Sequence, residues 1–178
     1  MCIREVSTLT VPEAGTYYLG NTPKSNYIFK VQVSDEVEIK PTYKEVTTVL
    51  NANDLELVAQ GTKADGDVVK AGTDNFFSII CSAKTKFDAS KKSFSDGFEG
   101  TQRINFGEGT TTAKNAIRFT TEGTATVTVW WACGDAGREV TILDKDGKEV
   151  ATTSEGLAKN AMAISTLTVP EACLLYTS

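Results

Sequence analysis

Cationic side chains crowd one part of this sequence. Between residues 84 and 118, Lys84, Lys86, Lys91, Lys92, Arg103, Lys114 and Arg118 stand against Asp88, Asp96, Glu99 and Glu108, in a chain whose formal charge is −5. Within that stretch Arg103, Lys114 and Arg118 flank Gly107, Gly109 and the Thr110-Thr111-Thr112 run, which reads as a loop between two strands. A guanidinium grips a carboxylate through two parallel hydrogen bonds and an ammonium adds a point charge, so these groups suit an acidic ligand. The competing reading is that Arg103 and Arg118 pair with Glu99, Glu108 or Glu122 as ordinary surface ion pairs. Arg138 and Lys159 complete the cations taken as candidate ligand contacts. Trp130 and Trp131 are adjacent on a strand and so point to opposite faces. One belongs to the core, and the other could stack against the apolar face of a sugar ring; Trp131 is the candidate ligand contact of the two. Tyr17, Tyr18 and Tyr27 carry the same choice between stacking and packing, with core or edge packing favoured.

Other chemistry is removed by composition. The chain has no histidine, which excludes Ser-His-Asp and Cys-His nucleophile activation and every histidine-containing metal site. Carboxylate-pair glycosidase chemistry and Lys or Arg base chemistry survive in principle, but no local motif announces them. The expectation is a protein that is not an enzyme and needs no cofactor. Asp65 and Asp67, and Asp144 and Asp146, place oxygens at alternate positions as calcium loops do, yet neither pair runs on into the twelve-residue pattern with its closing Glu, so both read as turns and no metal is expected. Cys81 and Cys133 sit in apolar, strand-like surroundings and read as two buried reduced thiols in preference to a disulfide between sheets. The overall acidity argues against nucleic acid as a partner, and no run of about 18 apolar residues could cross a bilayer.

The elements that must position these groups are strands. Alternation and β-branched residues mark residues 7–11, 16–19, 27–33, 36–39, 75–82, 116–120, 125–132, 138–143, 149–153 and 161–169. Asp144 to Lys148 is a hairpin turn, because Asp-Gly supplies the positive backbone angles of a tight reversal. Some ten short strands with turn residues between them predict an all-β fold, a β-sandwich of jelly-roll-like form.

An internal repeat complicates the order. The octapeptide STLTVPEA begins at Ser7 and again at Ser165, 158 residues later, and eight identities in a row point to a tandem array. On that reading residues 7–33 are the closing strands of a preceding copy, 34–53 are a linker or an added edge strand, and 54–172 are the main module lacking its last strands. Residues 7–33 then either fold back into the vacant slot, giving a circularly shifted but closed sandwich, or pair with a neighbouring chain. Residues 1–6 and 173–178 read as the two strands of one short DNA adaptor translated at the edges of an assembled fragment, which would leave Cys2 and Cys173 without biological meaning.

Placing residues 54–172 ahead of 15–33 restores an order that can be compared with known modules. It runs from Asn53-Asp54-Leu55 through FFSI (76–79), RINFG (103–107), AIRFTTEGTATVTV (116–129) and REVTILD (138–144) to VPEA (169–172), GTYYLG (15–20) and NYIF (26–29). This resembles the β-sandwich modules appended to bacterial pectate lyases, among them the pectin-binding family 77 carbohydrate-binding modules. The resemblance implies a secreted or cell-surface bacterial setting and a galacturonate-rich plant polysaccharide as ligand. It further implies a role in targeting an attached polysaccharide lyase, with a neighbouring repeat or catalytic domain in the same chain. The alternative function is a structural or adhesive repeat of a bacterial surface protein.

Overall fold

The structure, a computed structural model, describes residues 6–11, 15–21, 26–39, 42–54, 61–153 and 156–169. Within these residues the chain folds as thirteen strands: β1 (Val6–Val11), β2 (Gly15–Asn21), β3 (Asn26–Ile39), β4 (Thr42–Asn51), β5 (Val68–Ala71), β6 (Phe77–Ile80), β7 (Lys86–Ser93), β8 (Glu99–Asn105), β9 (Ala116–Thr121), β10 (Ala125–Cys133), β11 (Val140–Leu143), β12 (Glu149–Thr152) and β13 (Met162–Val169). The adaptor reading of the ends falls on residues outside the described ones, apart from Val6.

The strands form two sheets, antiparallel except for the β1–β13 pair, and the sheets pack face to face as a β-sandwich. The seven-stranded sheet has the order β1-β13-β10-β3-β8-β7, with β4 beside β3; the six-stranded sheet has the order β12-β11-β2-β9-β6-β5. Period-two alternation fills the space between them. Ile28, Val31, Ile104, Val127, Val129, Trp131 and Leu167 come from one sheet and Leu19, Phe77, Ile79, Ile117, Phe119 and Ile142 from the other. Each such side chain contributes about 1.5–3 kcal/mol on leaving water.

Two of the N-terminal strands, β2 and β3, are interior to this sandwich. β2 lies between β9 and β11, and β3 runs beside both β8 and β10. The chain therefore closes its sandwich with residues from the stretch ahead of the linker. The stretch 34–53 supplies the end of β3 and all of β4: β3 pairs with β8 at Tyr27 and Ile28, then with β4 from Lys30 to Ile39. Asn53 fastens the end of that hairpin, its Oδ1 accepting from the Thr101 and Gln102 amides (2.7 and 3.3 Å) and its Nδ2 donating to the Glu99 carbonyl (2.7 Å).

The expected strands 27–33 and 36–39 are one strand, β3, and four strands lie outside the ten expected from the pattern: β4, within the stretch read as a linker or edge strand, and β5, β7 and β8. β7 (KFDASKKS) buries only Phe87, and β8 (EGTQRIN) buries only Gly100 and Ile104. Strands of such polar composition are held by their ladder and leave almost no alternating apolar signal.

Candidate functional site

One register row crosses four adjacent strands of the six-stranded sheet. Lys70 of β5 stands opposite Ser78 of β6, Ser78 opposite Arg118 of β9, and Arg118 opposite Tyr18 of β2. Their chain neighbours Ile79, Ile117, Phe119 and Leu19 are buried between the sheets, so alternation turns the row to the outer face. Lys70 Nζ donates to Ser78 Oγ at 2.8 Å, and Ser78 lies buried beneath it. Arg118 is half-buried, and among the described residues no carboxylate forms an ion pair with it. At about 4.8 Å between strands, the row extends roughly 14 Å. It continues through Leu143 of β11 to Glu149 of β12, an exposed acid.

The β8–β9 connection makes a wall at one end of this face. Asn115, fully buried in the left-handed region at φ 54°, anchors it. Its Oδ1 accepts from Thr85 Oγ1 (2.9 Å), its Nδ2 donates to the Gly109 carbonyl (3.3 Å), and its own carbonyl accepts from Thr110 Oγ1 (2.7 Å). The Thr110 side chain lies directly on Gly20, two residues beyond Tyr18 on the same outer face; a Cβ at Gly20 would collide with it. At the same end Glu108 receives Lys114 at 3.1 Å and Lys84 at 3.3 Å, with Asp65 3.9 Å from Lys114. Hydrogen bonds from Lys114, then Lys84, hold the Glu108 carboxyl down at about 2, and the Glu108 bond raises Lys114 above its ordinary value.

The six candidate residues do not form one patch. Arg103 and Arg118 lie in opposite sheets, because the 106–115 connection crosses from the edge region of one to the middle of the other. Arg103 stacks on the Tyr27 ring, 3.8 Å from Cζ to the centroid, and makes a short two-point contact with Asp88, which raises its pKa further. Lys114 is engaged by Glu108. Arg138 has a side chain only 6% exposed, and it shares Asp135 with Lys159, 3.5 Å away. The ion-pair alternative expected for Arg103 and Arg118 describes Arg103 in kind, with Asp88 in place of Glu99, Glu108 or Glu122, and among the described residues it does not describe Arg118; Lys114, outside that expectation, pairs with Glu108. Trp131 is fully buried in the core, its Nε1 donating to Ser165 Oγ at 2.9 Å, so it offers no face to a ligand. The reason is parity: Trp131 shares the inward side of β10 with Val127, Val129 and Cys133.

Trp130, on the other side of β10, is covered as well. It packs with Phe29, Phe94 and Phe98, its Nε1 donates to Asp96 (2.8 Å), and Lys30 Nζ lies 3.9 Å from its ring centroid. Cys81 and Cys133 are both buried thiols, in different sheet regions, and burial pushes Cys81 up to about 11. The paired aspartates serve turns. Asp144 Oδ1 accepts from the Asp146 and Lys148 amides, both at 2.9 Å, and Asp67 and Asp65 accept from the Ala64 and Ala83 amides.

Sequence reasoning reached Arg118 and named Tyr18 with packing favoured, but it did not reach Lys70 or Ser78. Lys70 sits between Val69 and Ala71 in a four-residue strand too short to show alternation, and Ser78 reads as a polar interruption in FFSI. Their relation to Arg118 and Tyr18 exists only in the strand register. In comparison with known proteins, no family model, no curated protein sequence and no solved structure matches the chain.

Proposed function

We propose that this sandwich is a non-catalytic binding module for an extended, carboxylate-bearing polysaccharide, which lies across the outer face of the six-stranded sheet. The observation that carries the proposal is the Lys70-Ser78-Arg118-Tyr18 row. It supplies a guanidinium with which no acid pairs among the described residues, an ammonium seated on Ser78, and a phenol, all on one face of the sheet. Arg118 would hold a carboxylate bidentately, Lys70 would add charge, and the Tyr18 ring would receive the C–H face of a sugar. Glu149 repels a polyanion from the far edge, so the ligand sits over β5, β6, β9 and β2. A galacturonate-rich chain such as pectin is the class whose regularly spaced carboxylates suit this spacing. A secreted or cell-surface setting follows, with the module keeping an attached lyase close to its substrate and raising effective concentration where copies repeat.

Affinity gel electrophoresis against homogalacturonan at several degrees of methyl esterification tests this. Retardation is expected to fall with esterification and with added salt. Arg118→Ala should weaken binding roughly tenfold or more, since a hydrogen bond to a charged group contributes about 1.5–3 kcal/mol. Unchanged retardation in Arg118→Ala and Lys70→Ala, with the fold intact, rejects the site. The second reading, a structural or adhesive repeat, is favoured by the repeated strand at β1 and β13, and a full glycan panel without binding would leave that reading in place.

A further inference from the structure

β1 and β13 are two copies of one strand brought to one place. They run parallel in repeat register, Ser7 against Ser165, Thr8 against Thr166, Leu9 against Leu167 and Thr10 against Thr168. Both also reach the same two residues of β10: Thr126 is the antiparallel partner of Thr168 and of Thr10, and Ala125 of Val169 and of Val11. The environment that accepts one sequence accepts the other, because the strands are identical over Ser7–Val11 and Ser165–Val169 and meet β10 in the same register. β13 holds the longer ladder, eight residue pairs from Ala125–Val169 to Ala132–Met162, so it is the resident strand and β1 is the surplus one. A surplus strand at the end of its sheet, with a sequence already matched to a seat, is a donor for another molecule.

We propose that β1 of one chain docks on β10 of a second copy, in the register of Thr10 with Thr126, so that copies of this chain join by strand exchange. The occupant is set by identity: no other described segment repeats the β13 sequence. The seat lies at the edge region of the seven-stranded sheet, away from the Arg118 row, so the proposal stands or falls independently of glycan binding.

Disulfide trapping between two differently labelled full-length chains, each with Cys2 and Cys173 replaced by Ser, tests it. One carries Thr10→Cys and the other Thr126→Cys; a third, Thr120→Cys on the opposite sheet, is the control. Buried Trp fluorescence reports that each is folded. Under mild oxidation the Thr10→Cys and Thr126→Cys pair should give a mixed dimer at least tenfold above the Thr120→Cys control, increasing with concentration. In sedimentation, Thr10→Pro, which removes an amide from the donor strand alone, should weaken self-association at least tenfold. A mixed-dimer yield no higher than the control, or self-association unchanged by Thr10→Pro, overturns the proposal.

Discussion

The outer faces of the two sheets carry similar residues to opposite effect. On the seven-stranded sheet, Arg103 lies on Tyr27 and bonds Asp88, and Lys30 covers Trp130 and Phe98. Both of these cations have an aromatic ring beneath them, and Arg103 has an acid beside it as well, so both are satisfied from within the face. On the six-stranded sheet Arg118 and Lys70 share only Ser78 and Tyr18 as register neighbours, and among the described residues no acid pairs with either. Counting charges along the sequence treats these arginines as equivalent. What distinguishes them is whether the strand opposite contributes a carboxylate, Asp88 for Arg103 and Ser78 with Tyr18 for Arg118.

If one face is structural and the other is for binding, their substitutions separate stability from affinity. The largest effect belongs to the core beneath both. Trp131→Ala should lower unfolding free energy by about 3–5 kcal/mol in urea denaturation, through the cavity it leaves. Arg118→Ala should cost roughly a factor of ten in affinity for homogalacturonan by calorimetry, while changing stability by no more than about 0.5 kcal/mol, as surface substitutions do. Arg103→Ala should do the reverse, losing about 1–2 kcal/mol of stability with the ring stack and ion pair and leaving affinity unchanged. Equal losses of affinity in the two arginine variants would erase the distinction between the faces.

Two smaller effects sharpen the comparison. The Glu108 carboxyl is depressed from 4.5 to about 2, so its stabilising contribution is complete above pH 4.5 and disappears as pH falls through about 2. The urea midpoint of the intact chain should therefore exceed that of Glu108→Gln at pH 6, with the gap closing between pH 4.5 and 2. A constant gap would mean that Lys84 and Lys114 do not depend on the Glu108 charge. Glu149→Gln, which removes the acid at the far end of the row, should strengthen glycan binding by no more than about threefold in the same calorimetry. A loss of affinity would place the ligand over β12 instead.

The fold was largely legible because apolar alternation and turn chemistry are local. β10 and β9 announce themselves by ATVTVWWAC and AIRFTT, and Asp144 to Lys148 by its Asp-Gly turn. β7 and β8 were hidden because each buries a single large apolar side chain, Phe87 and Ile104, and otherwise rests on pairing and the Asp88–Arg103 contact. The site was less legible for a related reason. Arg103, Lys114 and Arg118 are close in sequence, but a connection that crosses between sheets separates them, whereas Lys70, Ser78, Arg118 and Tyr18 come from four separate parts of the chain. Trp131 was misplaced because two adjacent tryptophans leave open which is inward, and neither proved exposed: Trp131 meets the core and Trp130 is roofed by Phe94, Phe98 and Lys30.

Amide chemical-shift mapping during titration with galacturonate oligomers tests the central claim most directly. Shifts should concentrate at Tyr18, Lys70, Ser78 and Arg118 and at the Thr110 wall, with β7 and β8 unmoved. Shifts centred on Arg103 and Tyr27, or none at saturating oligomer, would contradict it.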